Sequence, residues 1–271
     1  MIEIIGEMLE LTFISRALLV GSLVSITAAL LGVILVLKRY AMIGDGLSHV
    51  GFGFAAIALA FGFAPLSITM PGVLITAVIL LKINNSHSIK SDSAIALVAT
   101  SALAIGIAVT SLTTGLTLDL CDVMFGSLYA MSASDVWISV IISIVVAILF
   151  ILFYRKLFIV TFDQEYAKAS GLKANRYADL IALLTAVIIV IGMRMMGALL
   201  ISSIIVFPAL TAMRLFKSFK MVVIVSAIVS LVSFLIGIYL SFVYGISTGA
   251  VIVLVNLTFF IIFSLIKAIS K

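Results

Sequence analysis

Runs of apolar residues, each close to the length that crosses a bilayer, follow one another along the whole chain, at roughly 12–37, 45–63, 66–82, 93–113, 134–154, 177–193, 197–214, 221–241 and 246–266. About 20 consecutive apolar residues span the hydrocarbon core as an α-helix. A helix satisfies its own backbone N–H and C=O groups, which lipid cannot do. The runs are far longer than the alternating strands of an outer-membrane barrel. The sequence therefore predicts an all-α, polytopic membrane helical bundle of about nine transmembrane helices, with eight as the alternative count. Spans and short connections consume nearly all of the 271 residues, so residues 1–271 read as a single transmembrane domain with no soluble catalytic domain. The composition, 65% hydrophobic and 10% charged, departs in the same direction from soluble domains, which carry about 45–50% apolar and about 25% charged residues.

The charges that remain are sorted by side. With the N-terminus outside, fourteen of the sixteen Lys and Arg residues fall on the inner side, from Lys38 and Arg39 through Lys82, Lys90, Arg155, Lys156, Lys168, Lys173, Arg176, Arg214, Lys217 and Lys220 to Lys267 and Lys271. Glu3, Glu7, Glu10, Asp119, Asp122 and Asp135 fall outside. Basic residues collect in cytoplasmic connections, so the expected orientation is N-terminus out and C-terminus in. The net charge of +5 then reports orientation in the membrane, and no nucleic-acid partner is expected. Of the two exceptions, Arg16 snorkels outward and Arg194 sits at a tight outer turn. Trp137 fits an outer interfacial anchor. The stretch MIEIIGEMLEL lacks the basic start and cleavage site of a secretory signal. Cys121, the single cysteine, forms no internal disulfide.

Small residues spaced four apart, Gly21, Ser25 and Ala29 in the first span and Gly51 with Ala55 in the second, read as helix-packing positions. Met193, Met195 and Met196 read as packing residues. Asp179 is expected to open a helix on the inner side, where a carboxylate favours the positive end of the helix dipole. Between Thr114 and Ser134 a semi-apolar stretch too short to span predicts a short helix at the outer face.

Two features stand out from this background. In Gly44-Asp45-Gly46-Leu47-Ser48-His49, the carboxylate and the imidazole are four residues apart, on one face of a helix. Ionisable side chains inside a membrane usually face a bundle interior or a pathway, and this pair suits a divalent transition metal. The structural alternative is that Asp45 caps the helix and His49 bonds a backbone carbonyl. Few other ligands are at hand, since His87 falls in an inner loop and Asp119, Cys121 and Asp122 fall outside. Incomplete coordination suits an ion that must leave again. The second feature is the inner connection from Arg155 to Arg176. Thr161 followed by Gln164 resembles a capping box and Gly171 a helix stop, which predicts a short helix over Phe162–Ser170 with Phe162, Tyr166 and Ala169 on one face. Such a helix is marginal alone and reads as a docking element. No GxxxxGK[ST] phosphate loop occurs, so an ATPase driving transport is another chain.

These residues carry a family resemblance. Leu37 to His49, Ser91-Asp92-Ser93-Ala94-Ile95-Ala96, Phe125-Gly126-Ser127-Leu128, Thr161 to Lys168, Met196 to Ser203 with Phe207-Pro208-Ala209, and Ser247-Thr248-Gly249-Ala250 resemble, in order, the motifs of the metal-ion ABC importer permeases for zinc, manganese and iron. The resemblance implies a multi-pass protein of a prokaryotic plasma (inner) membrane that is itself not an enzyme. It implies a homodimer served by two cytoplasmic ATP-binding subunits and an extracytoplasmic metal-binding protein. Asp45 and His49 correspond to the metal-coordinating pair. Asp163, Glu165, Ala167 and Gly171 match the segment, within 155–176, that engages the ATPase. No cofactor is permanently bound, and the metal is cargo. The GDGLSH form and the Asp119–Ser127 region look most similar to zinc permeases, with manganese or iron as alternatives. Ser247 stands where members often carry proline, which argues against a rigid turn there. An ATP-independent secondary carrier is the competing class, although such carriers usually carry several intramembrane ionisable residues. An intramembrane metalloprotease lacks its HExxH.

Overall fold

The computed structural model describes residues 11–85, 91–113 and 133–269. Within them the chain forms ten helices: α1 (Thr12–Leu37), α2 (Ile43–Ala60), α3 (Pro65–Asn85), α4 (Ser91–Leu112), α5 (Ala133–Phe162), α6 (Gln164–Ala169), α7 (Ala174–Met196), α8 (Ala198–Leu215), α9 (Phe219–Tyr244) and α10 (Thr248–Ile269). No strand occurs among the described residues. Among the described residues, eight helices combine the length and apolarity needed to cross a membrane. The exception among the nine expected spans is α3, whose apolar part, Pro65–Leu80, is shorter. Its remaining turn carries Lys82, Asn84 and Asn85, and it packs against α2, α4 and α7. Pro65 opens this helix, a position where the missing N–H costs nothing. His87, Cys121, Asp119, Asp122, the Phe125–Leu128 motif and the predicted outer helix lie outside the described residues.

The middle of the bundle is α1 and α7, the helices with the largest buried shares. Helix α1 touches α5, α7, α8 and α9. Lipid provides no hydrophobic drive between helices, so association depends on close packing and interhelical hydrogen bonds. The predicted small-residue stripe on α1, Gly21, Ser25 and Ala29, together with Gly32, which lies outside the predicted positions, supplies both. Gly21 receives the ring of Phe234 from α9, and Gly32 lies against the backbone carbonyl of Ile205 in α8. The hydroxyl of Ser230 donates to the Ser25 carbonyl at 2.8 Å, and that of Ser226 reaches the Ala29 carbonyl at 3.5 Å. Gly51 of α2 meets the Met193 thioether of α7, and Met193, Met195 and Met196 are buried as packing residues.

The contacts also gather the basic residues at one end. Tyr40, between α1 and α2, packs on Ala178 and Ala182 of α7. Phe219, opening α9, stacks with Tyr154, Phe158 and Phe162 near the end of α5, at centroid distances of 5.3, 5.0 and 6.1 Å. Lys38, Arg39, Arg155, Lys156, Lys173, Arg176, Lys217 and Lys220 therefore share this end, the arrangement that the positive-inside rule expects. Trp137 is exposed near the start of α5, toward the opposite end.

Three local expectations need correction. Helix α5 runs 30 residues, roughly 45 Å at 1.5 Å per residue. It continues through Arg155–Thr161, expected as connection, and takes in Phe162, expected to open the next helix: basic residues mark where a helix leaves the bilayer, not where it ends. Asp179 lies in the second turn of α7, not the first. The α9–α10 turn is well defined without proline. Gly245 takes a left-handed conformation (φ 65°), and the Ser241 hydroxyl bonds the Ile246 carbonyl and lies 2.7 Å from the Thr248 hydroxyl.

A methyl group on Gly32 would collide with the Ile205 carbonyl, a backbone atom with nowhere to move. Gly32→Ala is expected to destabilise the bundle by about 1–3 kcal/mol. Leu19→Ala, at an exposed position of the same helix, should change stability by less than about 0.5 kcal/mol. Size-exclusion profiles after graded heating in detergent measure both.

Candidate metal site and coupling segment

A tight reversal delivers the chain into α2. Lys38 closes α1, and Arg39 adopts φ 62°, a left-handed conformation uncommon outside glycine. The Tyr40 N–H then donates to the Leu35 carbonyl at 2.7 Å. Burial lowers the Lys38 amine from its ordinary pKa by desolvation. Two turns further on, α2 is held by its neighbours through glycines. A Cβ on Gly44 would stand 3.3 Å from Ile205 Cδ1 of α8, and one on Gly46 would stand 2.5 Å from Ile95 Cγ2 of α4. A Cβ on Gly53 would stand 2.7 Å from the Ala102 carbonyl of α4. Ser48 is buried with its hydroxyl donated to the Gly44 carbonyl at 2.8 Å.

On the arc of α2 between its α8 and α4 contacts, Asp45 and His49 come together as their spacing requires. Asp45 Oδ2 lies 3.6 Å from His49 Nε2, with the side chains 47% and 22% exposed. Asp45 sits in the first turn of α2, where the helix dipole favours an anion. It is not the cap: Met42 holds that position, and no side chain caps the turn. The pair offers one carboxylate oxygen and one imidazole nitrogen on a half-open face. No group of three or more metal-binding side chains occurs among the described residues. Two ligands leave the rest of a metal's shell to water or to another chain.

The candidate coupling segment is built around Asp163, which takes the capping place expected of Thr161. Thr161 belongs to α5 and donates its hydroxyl back to the Leu157 carbonyl. Asp163 is the true cap, accepting the Tyr166 N–H at 2.8 Å, and α6 spans Gln164–Ala169 in place of Phe162–Ser170. A carboxylate at this position satisfies a free N–H and meets the positive helix end. Gly171 (φ 80°) stops the helix as expected. The Gly171 N–H bonds the Lys168 carbonyl and the Leu172 N–H the Ala167 carbonyl, both at 3.0 Å, a Schellman closure.

Ala167 is fully buried against Val160 of α5 and Ala174 of α7, which anchors α6 to both. Glu165 and Tyr166 face outward, and Glu165 is paired with Lys168 at 2.7 Å. The four predicted residues thus divide. Asp163 and Gly171 shape the helix, Ala167 holds it, and Glu165 is presented. Phe162, expected on α6, instead ends α5 and stacks on Phe158 at 4.8 Å. The part played by Phe219 was missed, although the spacing of Tyr154, Phe158 and Phe162 marks an aromatic face in search of a partner.

Among the described residues, eight long apolar helices, a carboxylate–imidazole pair near the start of one of them and a short capped helix at the basic end describe a multi-pass membrane protein with a candidate ion site. Comparison with known proteins makes the class specific. Residues 10–267 match the ABC 3 transport family, and the chain belongs to that family, the permeases of metal-ion ABC transporters. It is a multi-pass protein of the bacterial inner membrane.

The chain is 31% identical to the manganese transport system membrane protein MntC of Halalkalibacterium halodurans, over 94% of this chain and 87% of that protein. It is 30% identical to the high-affinity zinc uptake system membrane protein ZnuB of Haemophilus influenzae, over 96% and 98%. In structure it is similar to PsaBC from Streptococcus pneumoniae in complex with Fab, with a TM-score of 0.85, 28% identity and coverage of 97% and 95%.

Asp163→Ala should free the Tyr166 N–H and weaken α6 by about 1 kcal/mol, while Asp163→Asn should keep the cap. Hydrogen exchange followed by mass spectrometry reads this as faster exchange over residues 164–169 in the alanine variant alone.

Proposed function

We propose that this permease carries a divalent first-row transition metal inward, with Asp45 and His49 as its coordinating pair. The observation that carries the reading is their placement together on one half-open face of α2. One carboxylate and one imidazole hold a metal with part of its shell left to water, and an ion held by multiple weak sites can leave again. The sequence motifs favour zinc. The relatives named for manganese and for zinc stand at 31% and 30% identity, so identity does not rank the two cargoes, and the donor set serves both.

ATP hydrolysis belongs to a separate pair of cytoplasmic subunits, and metal is delivered outside by a binding protein. Two copies of the permease form the pathway. Asp163, Glu165, Ala167 and Gly171 make the contact through which the ATPases act: the first and last shape α6, Ala167 ties it to α5 and α7, and Glu165 with Tyr166 meets the partner. Motion of α6 then reaches the bundle through the Val160–Ala167–Ala174 contact.

The test is uptake of radiolabelled zinc and manganese into vesicles containing the permease, its ATPase and its binding protein. ATP-dependent uptake that is abolished by Asp45→Ala and by His49→Ala is the expected result, and the metal taken up at lower concentration identifies the cargo. ATP-independent uptake, or uptake unaltered by both substitutions, overturns the reading. Glu165→Ala with Tyr166→Ala should leave metal binding intact and lower metal-stimulated ATP hydrolysis.

A further inference from the structure

Where α5 leaves the bundle beside the foot of α7, an open cavity of about 500 Å³ lies next to the turn after α6, walled by Phe153, Leu172, Tyr177 and Leu180 and rimmed by Gly171, Lys173 and Arg176. Lys156 stands over it, its Nζ 5.6 Å from the Phe153 ring centroid and 5.5 Å from that of Tyr177. Three cations thus surround one notch. Among the described residues no carboxylate lies within ion-pair distance of Lys156, Lys173 or Arg176, and the exposed acid of the neighbouring helix, Glu165, is engaged with Lys168. Uncompensated cations around a cavity call for an anion.

The walls indicate its source. Phe153 and Leu180 lie about one turn deeper in α5 and α7 than Lys156 and Arg176, so the notch is apolar toward the middle of the bundle and basic toward the end where the cations gather. Helix α5 is also among the helices with the smallest buried shares, so the rest of the chain leaves this seam uncovered. A soluble anion would gain nothing from the aromatic wall, whereas an acyl chain would lie against it. A phosphate group accepts paired hydrogen bonds from Arg and charge from Lys, and basic pockets between helices on the cytoplasmic side are suited to anionic headgroups.

We propose that this notch binds the headgroup of an anionic phospholipid of the inner leaflet, its phosphate between Lys173 and Arg176 with Lys156 closing the rim. The bound lipid braces the end of α5 against the turn that carries Gly171, beside the contact that anchors α6. The proposal rests on the membrane class of the chain alone and is independent of the metal carried.

Native mass spectrometry of the purified permease, with added phosphatidylglycerol or phosphatidylcholine, tests it. The wild type should retain phosphatidylglycerol in preference to phosphatidylcholine. Lys173→Gln with Arg176→Gln should weaken that retention about thirty-fold, the effect of two cations at a lipid surface. Lys217→Gln with Lys220→Gln, at the same end of the bundle, should leave retention unchanged, and the charge-keeping pair Lys173→Arg with Arg176→Lys should preserve most of it. If the neutral pair fails to fold, the wild-type preference and its loss at high salt decide.

Four results overturn the proposal. They are no preference for phosphatidylglycerol in the wild type, equal loss in the Lys217 and Lys220 variant, displacement of the lipid by millimolar inorganic phosphate, and retained lipid with lost ATPase association in the Lys173 and Arg176 variant. The third would assign the site to a free phosphate, and the fourth to a protein partner.

Discussion

Helices in lipid are held together where their backbones come close, and the bundle depends on one such place above the others. Ile205 of α8 presses its carbonyl against Gly32 of α1 and its Cδ1 toward Gly44 of α2. One residue therefore sets the spacing of three helices. Because the apolar side chains gain nothing by leaving lipid for one another, this spacing comes from van der Waals fit, while the hydroxyl–carbonyl bond of Ser230 to Ser25 fixes α9 on the other side of α1. Asp45 follows Gly44 directly, so the position of the carboxylate is inherited from the way α8 seats on α1.

Much of this was legible in the chain. The first span, residues 12–37, coincides with α1 because apolarity and helix end together there. The end of α5 does not follow that rule: Arg155 and Lys156 are good helix formers, so charge ends the membrane crossing without ending the helix. The cap of α6 was displaced by two residues for the same reason, since a threonine still inside a helix offers its hydroxyl to the preceding turn and leaves capping to Asp163. The pairing of Asp45 and His49 was readable from spacing alone, because i and i+4 positions on a helix meet whatever surrounds them. Phe219 was not readable, since its aromatic partners are more than fifty residues away in sequence and only the packing of α9 on α5 brings them together.

The two sites are opposites in design. Around Asp45 and His49, α2 is gripped through three glycines that leave no space, yet the pair itself is left half open. At α6 the helix is only six residues long and needs a cap, a Schellman closure and a buried alanine to persist, while Tyr166 is left uncovered. A rigid frame around a half-open pair, and a short helix held at three points with one face free, suit the brief ion contact and the external drive proposed above.

Helices α7 and α8 are separated by the single residue Gly197, at φ 85° and ψ 160°. A junction of one residue stores no slack: its whole freedom is one pair of dihedral angles. Neither helix can be pushed along its own axis without carrying the end of the other. The corner is therefore a joint of fixed length: α7 and α8 either tilt together as one body or change the angle between them at this one residue.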